Sequence, residues 1–255
     1  MNRRDLIGAL GAVFATPVFA KARPAPQPTG SAVLLPMRLG IEALRIARGW
    51  CQVGMDLEAQ AGGMAIQKAA ANFQNVYSQF RAAAPALGQQ EAALLFEQHW
   101  RVYRMSFMAR PDPAAARRVL SLSDDLLGLA RKSGAAVAQR VGGNAALYAR
   151  AAEGSLLVER MMRLVLSRQW GVGTADVPIM IDEDHKAFAK LLTELAATPG
   201  ASPEMLADVK LAQQQWGFFE RALAPGADAA AAREMLKLGA RMDEAMESVL
   251  THLPA

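Results

Sequence analysis

The chain has 255 residues, a formal charge of +4 and a hydrophobic fraction of 52%, enough apolar material for one large or two small cores. The charge is mild and spread along the chain, which excludes the clustered basic face of a nucleic-acid binder. One cysteine, Cys51, and three widely separated histidines, His99, His185 and His252, exclude an intrachain disulfide, a paired-cysteine metal knuckle and the usual histidine metal motifs.

In chain order, Arg3 and Arg4 come first, then an apolar stretch over 6–20 that closes on Val18-Phe19-Ala20. These are the parts of an export signal over residues 1–20. Asn2-Arg3-Arg4-Asp5-Leu6-Ile7 also resembles the twin-arginine export motif. Residues 21–33 carry Pro24, Pro26 and Pro28 and predict a flexible leader. No later stretch is long and apolar enough to span a membrane, so the mature chain is expected to be soluble and periplasmic.

The remainder is rich in Ala, Leu, Met, Glu, Gln and Arg, unbranched residues that favour helix over strand. It also repeats. At an offset of 115, Arg45-Ile46-Ala47-Arg48 matches Arg160-Met161-Met162-Arg163, and Phe73 matches Phe188. At 116, Trp100 matches Trp216, Tyr103 matches Phe219 and Asp112 matches Asp228. An ordered series with one residue of slippage predicts a duplication, with modules over 34–141 and 142–255.

Each copy divides into four helices. In the second, the first helix is predicted over 144–169 and the second over 182–197, set apart by Gly171-Val172-Gly173-Thr174 and Pro178. Pro199-Gly200 then breaks the chain, and Ser202 caps a third helix with Pro203 in its first turn. Pro225-Gly226 ends that helix, and Asp228 caps a fourth. In the first copy the breaks fall at Gly62-Gly63, at Pro85 and Gly88, and at Pro111 before a capping Asp112. The expected fold is all-α: two tandem antiparallel four-helix bundle modules. The last helix of the first module either breaks at Gly142-Gly143 or runs on through them as a shared helix of roughly 55 residues, about 80 Å long.

On the first helix of the second copy, Gly154, Leu157, Val158, Met161, Leu164 and Val165 form a core stripe, with Glu159 and Arg163 opposite and Arg160 at the boundary. In the first copy Arg45 takes that boundary place, and Glu42 stands on the inward face where the second copy has Leu157. A buried carboxylate needs a partner, and Arg45 is three residues on. Glu42, Arg45 and Arg160 are therefore candidate ligand-binding residues, with an arginine for an anion. Trp100 and Trp216, at the middle of the third helices, either pack the core or line a ligand cleft. Asp182-Glu183-Asp184-His185 reads as a helix-start segment, and no metal or cofactor is expected. No nucleophile elbow, phosphate loop or dinucleotide fingerprint is present, so the chain is not expected to be an enzyme.

Leu156-Leu157-Val158-Glu159-Arg160-Met161-Met162-Arg163, with Phe188 and Trp216-Gly217-Phe218-Phe219 downstream, resembles the type IV pili methyl-accepting chemotaxis transducer N-terminal domain, the PilJ-type sensor domain. That family is similar to the periplasmic nitrate- and nitrite-sensing bundles of histidine kinases. Of the two arginines in the family's first-helix signature only the second has a counterpart here, as Arg160 and Arg45; the first falls on Ser155 and Gly40. The resemblance implies a four-helix, extracytoplasmic domain that binds a small molecule, with an oxyanion such as nitrate or nitrite among the candidates, and signals to a membrane receptor or kinase partner. The alternative is a non-catalytic adaptor or structural protein of the cell envelope.

Overall fold

The computed structural model describes residues 29–223 and 228–253. The expected export signal, most of the leader and the Pro225-Gly226 break lie outside them. Among the described residues the chain is all-α, with eight α-helices and no strand. A short 3₁₀ turn over Gly30–Val33 comes first. Val33 is fully buried, so the last residues assigned to the leader belong to the folded core.

The first half holds α1 (Leu34–Gly54), α2 (Ala59–Leu87), α3 (Gln90–Phe107) and α4 (Pro113–Val141). The second holds α5 (Ala145–Gln169), α6 (Val177–Ala196), α7 (Pro203–Ala222) and α8 (Ala229–Thr251). Capping chemistry sets several starts. The Asp112 carboxylate accepts from the Ala114 and Ala115 amides at 2.8 and 2.9 Å. Asp228 repeats this at α8, accepting from Ala230 and Ala231 at 3.0 and 2.9 Å. Ser202 Oγ accepts from the Met205 amide at 3.0 Å, with Pro203 in the first turn of α7. Each side chain satisfies amides that the first helical turn leaves without partners.

Three expectations about boundaries are corrected. Gly62 and Gly63 lie inside α2, and the break falls earlier, over 55–58, where Asp56 and Glu58 take positive φ. Pro178 does not precede α6 but sits in its first turn, where the missing N–H costs no hydrogen bond. No shared long helix forms: Gly142 and Gly143 take φ of +71° and +56°, left-handed values that end α4 and let the chain reverse into α5.

Within each half the four helices close a ring. α1 packs on α2 and α4, and α3 joins α2 to α4; α5 packs on α6 and α8, and α7 joins α6 to α8. Short connections make sequential neighbours antiparallel. The halves meet through α1 and α5, which also touch. Gly40 lies against Leu156, Arg45 and Arg48 reach Glu159, and Trp50 packs on Trp170 at 5.9 Å. These pairs ascend together along both helices, so α1 and α5 run parallel. Gly54 closes this seam: a Cβ there would stand 2.2 Å from the Trp170 ring.

Because α1 and α5 carry partners on both sides, they are buried nearly all round. On α5 every residue from Gly154 to Ser167 is buried except Arg160. Glu159 and Arg163, expected on the solvent face, are each 1% exposed. A helix at the centre of two bundles has no solvent face, so its polar residues end in the interface.

Candidate functional site

The seam between the halves concentrates charge. Burial alone would depress the Arg45 pKa, but Glu159, Asp243 and Glu42 more than reverse that and leave it above its ordinary value. Arg45 Nε donates to Glu159 Oε1 at 3.1 Å and NH1 to Glu42 Oε1 at 2.8 Å, while NH2 donates to Asp243 Oδ2. One guanidinium thus ties α1 to both α5 and α8. Arg48 adds a second tie, donating from Nε to Glu159 Oε2 at 2.8 Å and from NH2 to Oε1 at 3.4 Å. Its NH1 donates to Gln52 Oε1 at 3.4 Å. Every guanidinium nitrogen of the two arginines therefore already donates to a protein acceptor.

The carboxylates are less well served. Glu42 Oε1 also accepts from Asn72 Nδ2 at 3.4 Å, but the buried Glu42 Oε2 and Asp243 Oδ1 have no hydrogen-bond partner. Burial raises the pKa of Glu42 against the opposing pull of Arg45. Asp243 is pushed up to about 6, first by burial and then by the neighbouring Glu159 charge.

A cleft of about 510 Å³ opens over this cluster, with Ala65 and Ala69 of α2 on one wall and Ala240 of α8 on another. Lys68, Glu244 and Glu247 stand around it, so its lining holds three basic against five acidic residues. A second cleft of about 280 Å³ shares Glu42, Arg45, Asn72 and Glu247 and continues past Asn75 and Gln79. The two adjoin along α1 and α2 as one groove, whose larger part is lined more by apolar than by polar surface.

Of the residues picked from sequence, the structure joins Glu42 and Arg45 here. Arg160 lies elsewhere: its NH1 donates to Asp184 Oδ1 on α6 at 2.5 Å. Asp184 is therefore not a helix-start charge but a buried partner inside α6, 3% exposed. Its pKa is raised to about 6 by burial, partly offset by Arg160 and Arg131. The tryptophans are core residues. Trp100 stacks on Phe73 at 4.0 Å and meets Tyr103 at 6.2 Å; Trp216 meets Phe188 at 4.7 Å and Phe219 at 5.9 Å. Trp100 also edges a surface cleft of about 650 Å³ between α2 and α3, well separated in the lining from Arg45.

Sequence reasoning missed Glu159, Arg48 and Asp243, and also Arg163. The Arg163 NH1 and NH2 donate to Asp124 of α4 at 3.1 and 2.7 Å, and NH1 also reaches Leu120 O and Ser123 Oγ. A smaller cleft of about 290 Å³ lies over this pair, lined by two basic residues, Arg117 and Arg163, and two acidic ones, Asp124 and Asp125. The available signal was the arginine spacing itself, Arg45/Arg48 and Arg160/Arg163, which falls on both central helices. Cys51 is a poor nucleophile: burial pushes its thiol up to about 12. No group of three metal-ligating side chains is present among the described residues. In comparisons with family models, curated proteins and solved structures, nothing matches the chain.

Proposed function

We propose that the chain is a non-catalytic binding protein of the bacterial cell envelope, which takes a small molecule into the groove between its two helical halves and passes its state to a membrane partner. The observation that carries this reading is the makeup of the groove. Glu42, Arg45 and Arg48 come from the first half, Glu159 and Asp243 from the second, and two buried carboxylate oxygens remain unpaired. A molecule that pairs with them changes the balance of charge across the seam, and small helix shifts at such a seam are a recognised way to bias a partner. The export signal over 1–20 and the resemblance of residues 156–163 to a PilJ-type sensor domain point the same way. No helix among the described residues is long and apolar enough to cross a membrane.

The test is a thermal-shift screen of the purified protein against small anions, amino acids, amines and metal ions. A ligand bound by the native state alone stabilises by about 2.7 kcal/mol at a hundredfold excess over Kd. A saturable rise in Tm, abolished by Glu42→Gln with Arg45→Ala, supports the reading; a flat response across the panel removes it. The second reading, an envelope adaptor, is favoured by α7, where Phe218 is 51% and Leu211 44% exposed on one face.

A further inference from the structure

We propose that the groove selects a small organic cation, whose ammonium N–H groups donate to Glu42 Oε2 and Asp243 Oδ1; this rests on the binding-protein reading and names its ligand class. Three observations support a cation over the oxyanion that an arginine pair suggests. The first is donor commitment: each of the six guanidinium nitrogens of Arg45 and Arg48 already makes a hydrogen bond to Glu42, Glu159, Asp243 or Gln52. An anion would be left with the second N–H groups of the terminal nitrogens, beside carboxylates that repel it. The second is the orphan acceptors. Glu42 has a side chain only 8% exposed, and its Oε2 has no donor although the side chain lines both parts of the groove. A buried acceptor left unpaired is costly, so a ligand supplying N–H groups recovers that cost and one supplying lone pairs adds to it. The third is charge: five acidic residues against three basic ones give the lining a net negative sign, opposite to the chain as a whole.

The shape fits a linear molecule. Beyond Glu42 the groove continues between Asn75 and Gln79 on one side and Leu35 and Ile41 on the other, offering amide acceptors and an apolar wall to a short alkyl chain. Metal ions fit less well, since the carboxylates of the cluster are tied to arginines and hold no ligand trio among the described residues.

The experiment is isothermal titration calorimetry at pH 7.5 with 1,4-diaminobutane, tetramethylammonium and nitrate as probes. The diamine is expected to bind saturably. Tetramethylammonium, equal in charge sign but without N–H donors, is expected to bind at least about tenfold more weakly. Nitrate is expected to give no heat. Glu42→Gln keeps the shape and removes the charge, and should weaken the diamine about tenfold or more. Because Glu42 also supports Arg45, Lys68→Glu at the exposed rim provides a variant with no folding role; it should tighten the diamine about twofold to fivefold. Nitrate binding that Lys68→Glu weakens would overturn the proposal, as would diamine binding indifferent to both variants. Absence of diamine binding while the wider panel yields another ligand removes the cation and leaves the binding-protein reading; silence from every compound removes both.

Discussion

On the α1 side of the seam, Arg45 and Arg48 both cross to Glu159 in the other half. At the repeat-equivalent place on α5 the same pair divides: Arg160 turns to Asp184 within its own half, and only Arg163 crosses, to Asp124. The arginines are repeated; the acids are not. At the offsets of the repeat, Leu44 stands where Glu159 does, Leu157 where Glu42 does, Leu127 where Asp243 does, and Ala69 where Asp184 does. The two halves thus share a central helix with arginines at the same spacing, and each half has its own set of carboxylates. One side ends with an acidic excess and unpaired oxygens. The other has a balanced lining over the Arg163 pair, and there the Asp184 Oδ2, Arg160 Nε and Arg163 Nε are buried without partners.

Removing Glu159 breaks this comparison hardest. It is 1% exposed and serves both Arg45 and Arg48, so Glu159→Ala leaves two part-buried cations with one strong tie fewer each. The expected loss is about 4 kcal/mol in urea unfolding, the range for stripping one partner from a buried ion pair. Arg163→Ala on the other side should cost less, about 2–3 kcal/mol, because the Asp124 side chain is 41% exposed and can return to water. Equal losses would show that the two crossings carry the same weight.

The aromatic clusters compare the outer helices. Trp100 touches Phe73, Tyr103 and Phe107; Trp216 touches Phe188, Phe219 and His185. Both are 8% exposed. Trp→Ala at either place should cost about 3–4 kcal/mol, with Trp100→Ala the larger by about 1 kcal/mol because its parallel stack on Phe73 is lost as well. Chemical denaturation of the two single variants measures the difference.

The helices and the capping residues were legible because each has a local signal: Asp112 and Asp228 precede apolar runs. The central place of α1 and α5 was not. Glu159 and Arg163 read as a polar face when α5 is taken as an ordinary amphipathic helix, and only packing against two bundles at once turns that face inward. The site was half legible for the same reason. Glu42 stood out as a carboxylate on an inward stripe, and Arg45 as its neighbour, but Asp243 lies 198 residues from Arg45 and nothing local announces the pairing. Arg160 looked like the twin of Arg45, yet its partner depends on Asp184, which has no counterpart in the first copy.

The pH dependence separates the two sides next. Asp184 is raised from 3.8 to about 6, chiefly by burial. A carboxyl whose folded pKa is raised holds its proton more tightly in the folded state. Its contribution is fully present below the unfolded pKa and is lost as pH rises through the folded one, here between about pH 4 and 6. A shift of that size corresponds to about 2–3 kcal/mol. Asp243 and Glu42 shift in the same direction, with Glu159, Arg45 and Arg48 facing Asp243, so the chain as a whole should lose stability from these groups over that window. Asp184→Asn should flatten the fall by the α5–α6 share, read as unfolding free energy at pH 4.5 and 7.5. An unchanged slope would mean that the charged pair with Arg160 is as well stabilised as the neutral acid.

The smallest effect tests how far the repeat is a true equivalence. Asp112 and Asp228 occupy corresponding positions, each accepts from the second and third amides of its helix, and the distances agree within 0.2 Å, 2.8 and 2.9 against 3.0 and 2.9. α4 and α8 each pack on a central helix, so loss of either cap frays the same kind of element. Asp→Ala at each should cost about 1 kcal/mol, and the double variant about twice that, since the two ends share no partner. A deficit confined to Asp112→Ala would mean that α8 draws its stability from its pairing with α7 and the Asp243 tie to Arg45 rather than from its start. The comparison between the halves would then extend from their charges to the way each fourth helix is held.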